Sequence, residues 1–141
     1  MVSFPARGLR AGIVASLGIA LFSTASLAPD RALAVDTPTD SGHALFVARC
    51  GICHGANAEG GDHGPILHDP DFWAQWAGGP ARKLYSRIIS TMPADDPGSM
   101  PPAEVTQIVD YLSRLNTGTG IGAAPDASAL DAIELAPFSP E

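Results

Sequence analysis

Apolar positions recur at helical spacing in three stretches of this chain. Between Pro80 and Ser90, the residues Ala81, Leu84, Tyr85 and Ile88 share one face. Pro80 suits the first turn because a helix start leaves that N–H unpaired anyway. From Pro102 a longer stripe runs through Val105, Ile108, Val109, Leu112 and Leu115, and Asn116, Thr117 and Gly118 should end it. Upstream, Ser41 is placed to cap a helix running through Gly42, Leu45, Phe46 and Val47 into Cys50. The segment 55–64, rich in Gly, Asn, Asp and Glu, reads as loop. No stretch alternates apolar and polar positions for long enough to make a half-buried strand, and no internal repeat is visible. Beyond Thr119 an Ala/Pro/Asp-rich tail carries a short helical segment around Ala129–Leu135. The pattern predicts an all-α fold of a few short helices and long loops.

The N-terminal third follows a different pattern. Arg7 and Arg10 precede an uncharged, mostly apolar stretch from Ala11 to Ala28, and small residues suited to cleavage follow at Ala28 and at Ala34. This three-part order is that of a secretory signal peptide. An uncleaved anchor is the competing reading, but Ala, Gly and Ser dilute the stretch and it lies at the short end of a membrane span. The expectation is therefore a signal peptide at 1–34, a domain at 35–118 and a tail at 119–141, with the mature protein in the periplasm and no membrane span left.

Composition sharpens this. The 141 residues hold 8 Lys+Arg against 15 Asp+Glu, a net charge of -7. Loss of Arg7, Arg10, Arg31 and Asp30 with the signal leaves 5 basic and 14 acidic residues, a net of -9. Such a field speaks against nucleic acid and anionic lipid and for a basic docking site on a partner. With 15 Gly and 13 Pro, much of the domain must be loop and its own core small. Two cysteines cannot make a disulfide scaffold.

Those two cysteines carry the chemistry. Cys50-Gly51-Ile52-Cys53-His54 is a C-x-x-C-H motif, the pattern of covalent haem attachment. At positions i, i+3 and i+4 of a helix, both thiols and the imidazole point the same way. Two thioethers then hold the haem c vinyl carbons while His54 binds iron from one side. A buried macrocycle also completes a small core, contributing on the order of 10 kcal/mol as an upper figure. A redox dithiol would want a βαβ context, and a structural zinc would want four ligands, for which only His43, His63 and His68 remain. The second iron ligand has two methionine candidates, Met92 and Met100, each followed by proline and so held on extended backbone. His63 and His68 are further candidates. Phe72, Trp73 and Trp76 form an aromatic cluster whose indole N–H groups are suited to haem propionates, and Arg82, Lys83 or Arg87 is placed to neutralise one.

On these residues the chain resembles a class I c-type cytochrome of the bacterial periplasm. Gly42 and Phe46 on the first helix and Tyr111 on the last stand where that family packs its terminal helices together. Thr91-Met92-Pro93-Ala94-Asp95-Asp96-Pro97-Gly98-Ser99 is similar to the family's ligand loop, which implies Met92 as the iron ligand. Met100 falls where relatives carry a packing leucine. Pro101 departs from the pattern, since relatives commonly cap the last helix with serine. Gly64-Pro65-Ile66-Leu67 is similar to the segment whose proline carbonyl accepts a hydrogen bond from the ligand histidine, which implies that role for Pro65.

The resemblance implies a one-electron carrier and not an enzyme, because His54 and Met92 would leave the iron no open position. It looks like the small cytochromes associated with quinoprotein dehydrogenases, taking electrons from a periplasmic dehydrogenase and passing them to an oxidase or another cytochrome. The molecule is expected to be a monomer or a subunit of a dehydrogenase complex. A dedicated subunit using its tail as a tether, and a haem sensor lacking a firm sixth ligand, are the alternatives.

Overall fold

The computed structural model describes residues 38–122 and 126–139. The expected signal peptide at 1–34 lies outside them. Among the described residues five α-helices follow in order: α1 (Pro38–Arg49), α2 (Gly51–His54), α3 (Pro70–Trp73), α4 (Ala81–Thr91) and α5 (Pro102–Thr117). A 3-10 helix, Ala127–Asp131, follows them in the tail. Pairing of extended backbone among the described residues is confined to two isolated bridges, Gly61 with Gly64 and Pro80 with Glu134. No described helix is long and apolar enough to cross a membrane.

The first and last helices form the frame. At their crossing, a Cβ on Gly42 would lie 3.0 Å from the Gln107 carbonyl oxygen and 3.2 Å from Tyr111 Cβ. Only a bare Cα lets the helices approach this closely. Phe46 is fully buried, and its ring centroid stands 5.1 Å from that of Tyr111. His43 also stacks on Tyr111, at 5.2 Å between ring centroids. On α5 the stripe of Val105, Ile108, Val109 and Leu112 is buried as the periodicity requires, and on α4 so are Ala81, Leu84, Tyr85 and Ile88.

Helix ends explain where expectation and structure part. α1 begins at Pro38 and not after Ser41, proline again serving a first turn. α5 starts at Pro102 with no side-chain cap on Pro101, in keeping with the departure noted in the sequence. It ends at Gly118, which takes φ 68 and donates its N–H to the Arg114 carbonyl. α3 was not foreseen: Asp69 caps it by accepting from the Phe72 N–H at 2.7 Å, with Pro70 at the start. A four-residue helix has too few positions to show a period.

The tail corrects the sequence reading of a helix over Ala129–Leu135. After the 3-10 turn, the chain runs extended against the start of α4. Gly78 N–H donates to the Leu135 carbonyl at 2.8 Å, Ala81 N–H to the Ile133 carbonyl at 2.7 Å, and Leu135 N–H to the Gly79 carbonyl at 2.9 Å. Pro80 offers α4 no side-chain cap, so the tail carbonyl of Ile133 satisfies an N–H that the helix start leaves unpaired. Leu130 and Leu135 are buried in the core.

Candidate functional site

The attachment motif occupies one tight turn. Cys53 and His54 both donate their backbone N–H to the Cys50 carbonyl, at 3.1 and 2.9 Å. This winds α2 so that Cys50, Cys53 and His54, all half-buried, project from one turn. The loop that follows closes back on it. Gly60 N–H donates to the His54 carbonyl at 2.7 Å, and Leu67 N–H to the Ala58 carbonyl at 2.8 Å. Ala58 takes φ 62, an uncommon conformation for a residue with a side chain, and it is fully buried.

His54 is held by the residue the sequence singled out. Its Nδ1 donates to the Pro65 carbonyl at 2.8 Å. A carbonyl only accepts, so Nδ1 carries a proton, and in the neutral imidazole Nε2 is the nitrogen whose lone pair can bind a metal. The segment presses close: a Cβ on Gly64 would fall 2.8 Å from Nδ1 and 2.9 Å from Cε1 of the imidazole. Glycine at 64 is what lets the Pro65 carbonyl reach the ring.

The Cys50 thiol does not suit a redox dithiol. Burial, with the neighbouring Cys53 second, pushes it up to about 11. A dithiol oxidoreductase depends on a thiolate at neutral pH, and burial disfavours one at Cys50. No group of three or more His, Cys, Asp or Glu side chains among the described residues is placed to hold a metal ion.

The two methionines have different surroundings. Met92 caps the end of α4 on extended backbone, φ -125 and ψ 148, half-buried against the edge of the core. Met100 is 3% exposed and packs inside the core. His63 is exposed and His68 half-buried, the latter beside the Phe138 ring.

Two expectations about the haem carboxylates need correcting. Trp73 is fully buried, and its indole N–H donates to the Ala136 carbonyl at 2.8 Å. Arg82 pairs with Asp131 at 3.3 Å, donates to the Ala127 carbonyl and lies over the Tyr85 ring. In both cases the tail brings an acceptor from about fifty or sixty residues away, which no local pattern announces. Trp76 differs. Its Nε1 is buried and donates to no described residue, a condition that costs about 1–3 kcal/mol unless an acceptor arrives. Haem propionates are acceptors of that kind, and the two thiols and imidazole nitrogen on one turn fit haem attachment. Lys83 and Arg87 are exposed on α4.

Sequence reasoning missed Asn116. It was read as a helix terminator, yet it is fully buried and donates its side-chain N–H groups to the Leu67 carbonyl at 3.0 Å and the Leu112 carbonyl at 2.8 Å. The signal was present, since position 116 follows Leu112 by four and Val109 by seven and so continues the buried stripe.

Comparison with known proteins shows the family. Residues 37–112 match the family described as cytochrome C oxidase, cbb3-type, subunit III. A Synechocystis protein described as cytochrome c-553-like is 32% identical over 114 residues, covering 74% of this chain and 99% of the relative. Among solved structures, the sulfane dehydrogenase SoxCD from Paracoccus pantotrophus is similar in fold, with a TM-score of 0.52 at 22% identity. That likeness covers 69% of this chain and 52% of the other, so this chain spans about half its length. Cytochrome CL from Methylophaga aminisulfidivorans gives a TM-score of 0.44 at 23% identity, over 77% of this chain and 73% of that one. With more than half of its residues inside the family match and a relative aligned along nearly its whole length, the chain belongs to the c-type cytochromes, a family of haem c electron carriers.

Proposed function

We propose that this chain is a periplasmic one-electron carrier. Cys50 and Cys53 would hold a single haem c by thioethers, and His54 and Met92 are the side chains that would bind its iron. When bound, the haem supplies an iron that exchanges one electron between Fe(II) and Fe(III). The observation that carries the reading is the His54 turn, with Nδ1 donating to Pro65 and Nε2 left with its lone pair.

The residues have separable tasks. Donation from Nδ1 to the Pro65 carbonyl orients the imidazole and raises its basicity. Gly64 keeps that carbonyl in reach. The Met92 thioether is a soft donor, and Met opposite His raises a reduction potential into the range of electron transfer. Met100 is a core residue by its burial, which supports Met92 for the ligand. Trp76 brings the unpaired N–H suited to a carboxylate. With His54 and Met92 both given to the iron, no position would be open to substrate, and the protein is a carrier and not an enzyme.

We assign a periplasmic dehydrogenase as donor and an oxidase or another cytochrome as acceptor. The resemblance of the overall pattern to small cytochromes associated with quinoprotein dehydrogenases and the fold shared with a sulfane dehydrogenase chain support the donor. The net charge of -9 after loss of the signal residues suits brief contact with basic surfaces on both partners. A subunit tethered by its tail fits less well, because residues 133–136 are hydrogen-bonded into the fold.

The test is an optical spectrum, oxidised and reduced, of protein matured in a periplasm able to attach haem. The expected result is a covalent haem spectrum of low-spin type with a weak far-red sulfur-to-iron band. Colourless protein overturns the reading. Rapid binding of carbon monoxide to the reduced protein favours the sensor instead.

A further inference from the structure

We propose that Asn116 is a positioning residue for the His54 imidazole, acting through the Leu67 carbonyl on the segment that carries Pro65. The inference rests on His54 being the iron ligand. Pro65 has no N–H, so its own backbone cannot anchor it by donation. The segment is fixed on either side instead. Ahead of Pro65, the Gly64 carbonyl accepts from Gly61 N–H at 3.0 Å. Beyond it, Leu67 is held at both its backbone groups: its N–H donates to Ala58 at 2.8 Å, and its carbonyl accepts from Asn116 Nδ2 at 3.0 Å. The Asn116–Leu67 bond joins the end of α5 to the histidine's support across 49 residues of sequence.

Packing alone does not account for an amide here. Position 116 continues the apolar stripe of α5, and a leucine would fill it without burying an oxygen. Asn116 Oδ1 is buried and accepts from no described residue, so the side chain is oriented by its two donations. The Ser139 N–H donates to the Asn116 carbonyl at 2.8 Å, which adds the tail to the same anchor.

Releasing the Leu67 carbonyl should let Pro65 drift from Nδ1. The imidazole then loses basicity, Fe(III) is less well stabilised, and the reduction midpoint rises. The experiment compares wild-type holoprotein with Asn116→Leu, Asn116→Gln and the core control Val109→Ala. It reads the midpoint, the exchange of the His54 Nδ1 proton by NMR, and the melting temperature. Expected are a raised midpoint and about fivefold faster proton exchange in Asn116→Leu, the equivalent of one net hydrogen bond. Smaller changes are expected in Asn116→Gln, which keeps an amide donor, and a lowered melting temperature alone in Val109→Ala. Asn116→Leu with neither change overturns the proposal, as does Val109→Ala showing the same two shifts. Should Asn116→Leu not fold, the wild type decides by scalar coupling across the Asn116 Nδ2–H to Leu67 carbonyl bond. Its presence supports the anchor and its absence overturns it. A wild-type haem whose histidine is not an iron ligand overturns the functional reading as well, and is told apart by the spectrum of the unmutated protein.

Discussion

Met92 and Met100 sit eight residues apart on similar Met-Pro steps, yet their side chains meet different environments. Met92 packs against the edge of the core from extended backbone; Met100 is enclosed. Met92→Ala should therefore abolish the far-red band and lower the reduction potential. Met100→Ala should leave the band and cost about 2–5 kcal/mol of stability, as truncation of a buried methionine does. Spectra and denaturant titrations of the two variants separate these outcomes, and the reverse assignment of effects would sink the ligand choice. Residues were legible where their partners are near in sequence. Cys50, Cys53 and His54 make one turn, and Pro65 lies only eleven residues from His54. Trp73, Arg82 and Asn116 were misread or missed because their acceptors lie 63, 49 and 49 residues away. Residue type says that an indole or a guanidinium will donate; it does not say to what.

At the scale of elements, α1 and α5 depend on a contact that admits no side chain at Gly42. An alanine Cβ would already press on the Gln107 carbonyl oxygen at 3.0 Å, and valine adds two methyl groups to that clash. Gly42→Val should destabilise the holoprotein by about 1–3 kcal/mol, the usual cost of overpacking. Arg49→Ala removes the pair with Glu104 at 3.0 Å between the same two helices. That pair is solvent-facing, and its loss should cost less than about 1 kcal/mol. Thermal unfolding ranks the two, and equal losses would show that charge and not the close crossing joins the helices. The stripes of α4 and α5 were readable because each has three turns or more in which to display a period. α3 and the extended tail were not, since a short helix shows no period and the tail pairs its backbone, whose groups are the same in every sequence.

On the scale of the whole molecule, the tail is part of the domain and not an appendage to it. Leu130 and Leu135 are buried, and Ala136 accepts from Trp73. Ile133 accepts from Ala81 at the start of α4, and Ser139 donates to Asn116. Each buried leucine contributes about 1.5–3 kcal/mol, so two supply a large fraction of the 5–15 kcal/mol that typically holds a domain of this size together. The composition pointed to such a need: a domain this rich in Gly and Pro has little core, and both the haem and the tail add to it. Deletion of residues 126–141 should lower the denaturant midpoint of the holoprotein strongly and leave the Trp73 indole N–H and the Ala81 N–H open to exchange. The covalent haem would stay in place, because the Cys50 and Cys53 N–H groups donate locally, to the Phe46 and Cys50 carbonyls. Two variants sharpen the result. Leu135→Ala alone should reproduce part of the loss, about 2–5 kcal/mol, whereas Glu134→Ala, at an exposed position between half-buried Ile133 and buried Leu135, should change stability by less than about 0.5 kcal/mol. A truncated protein with an unshifted midpoint would mean that residues 126–139 do not hold the fold, and would return the tail to the role of a free tether for a dehydrogenase partner.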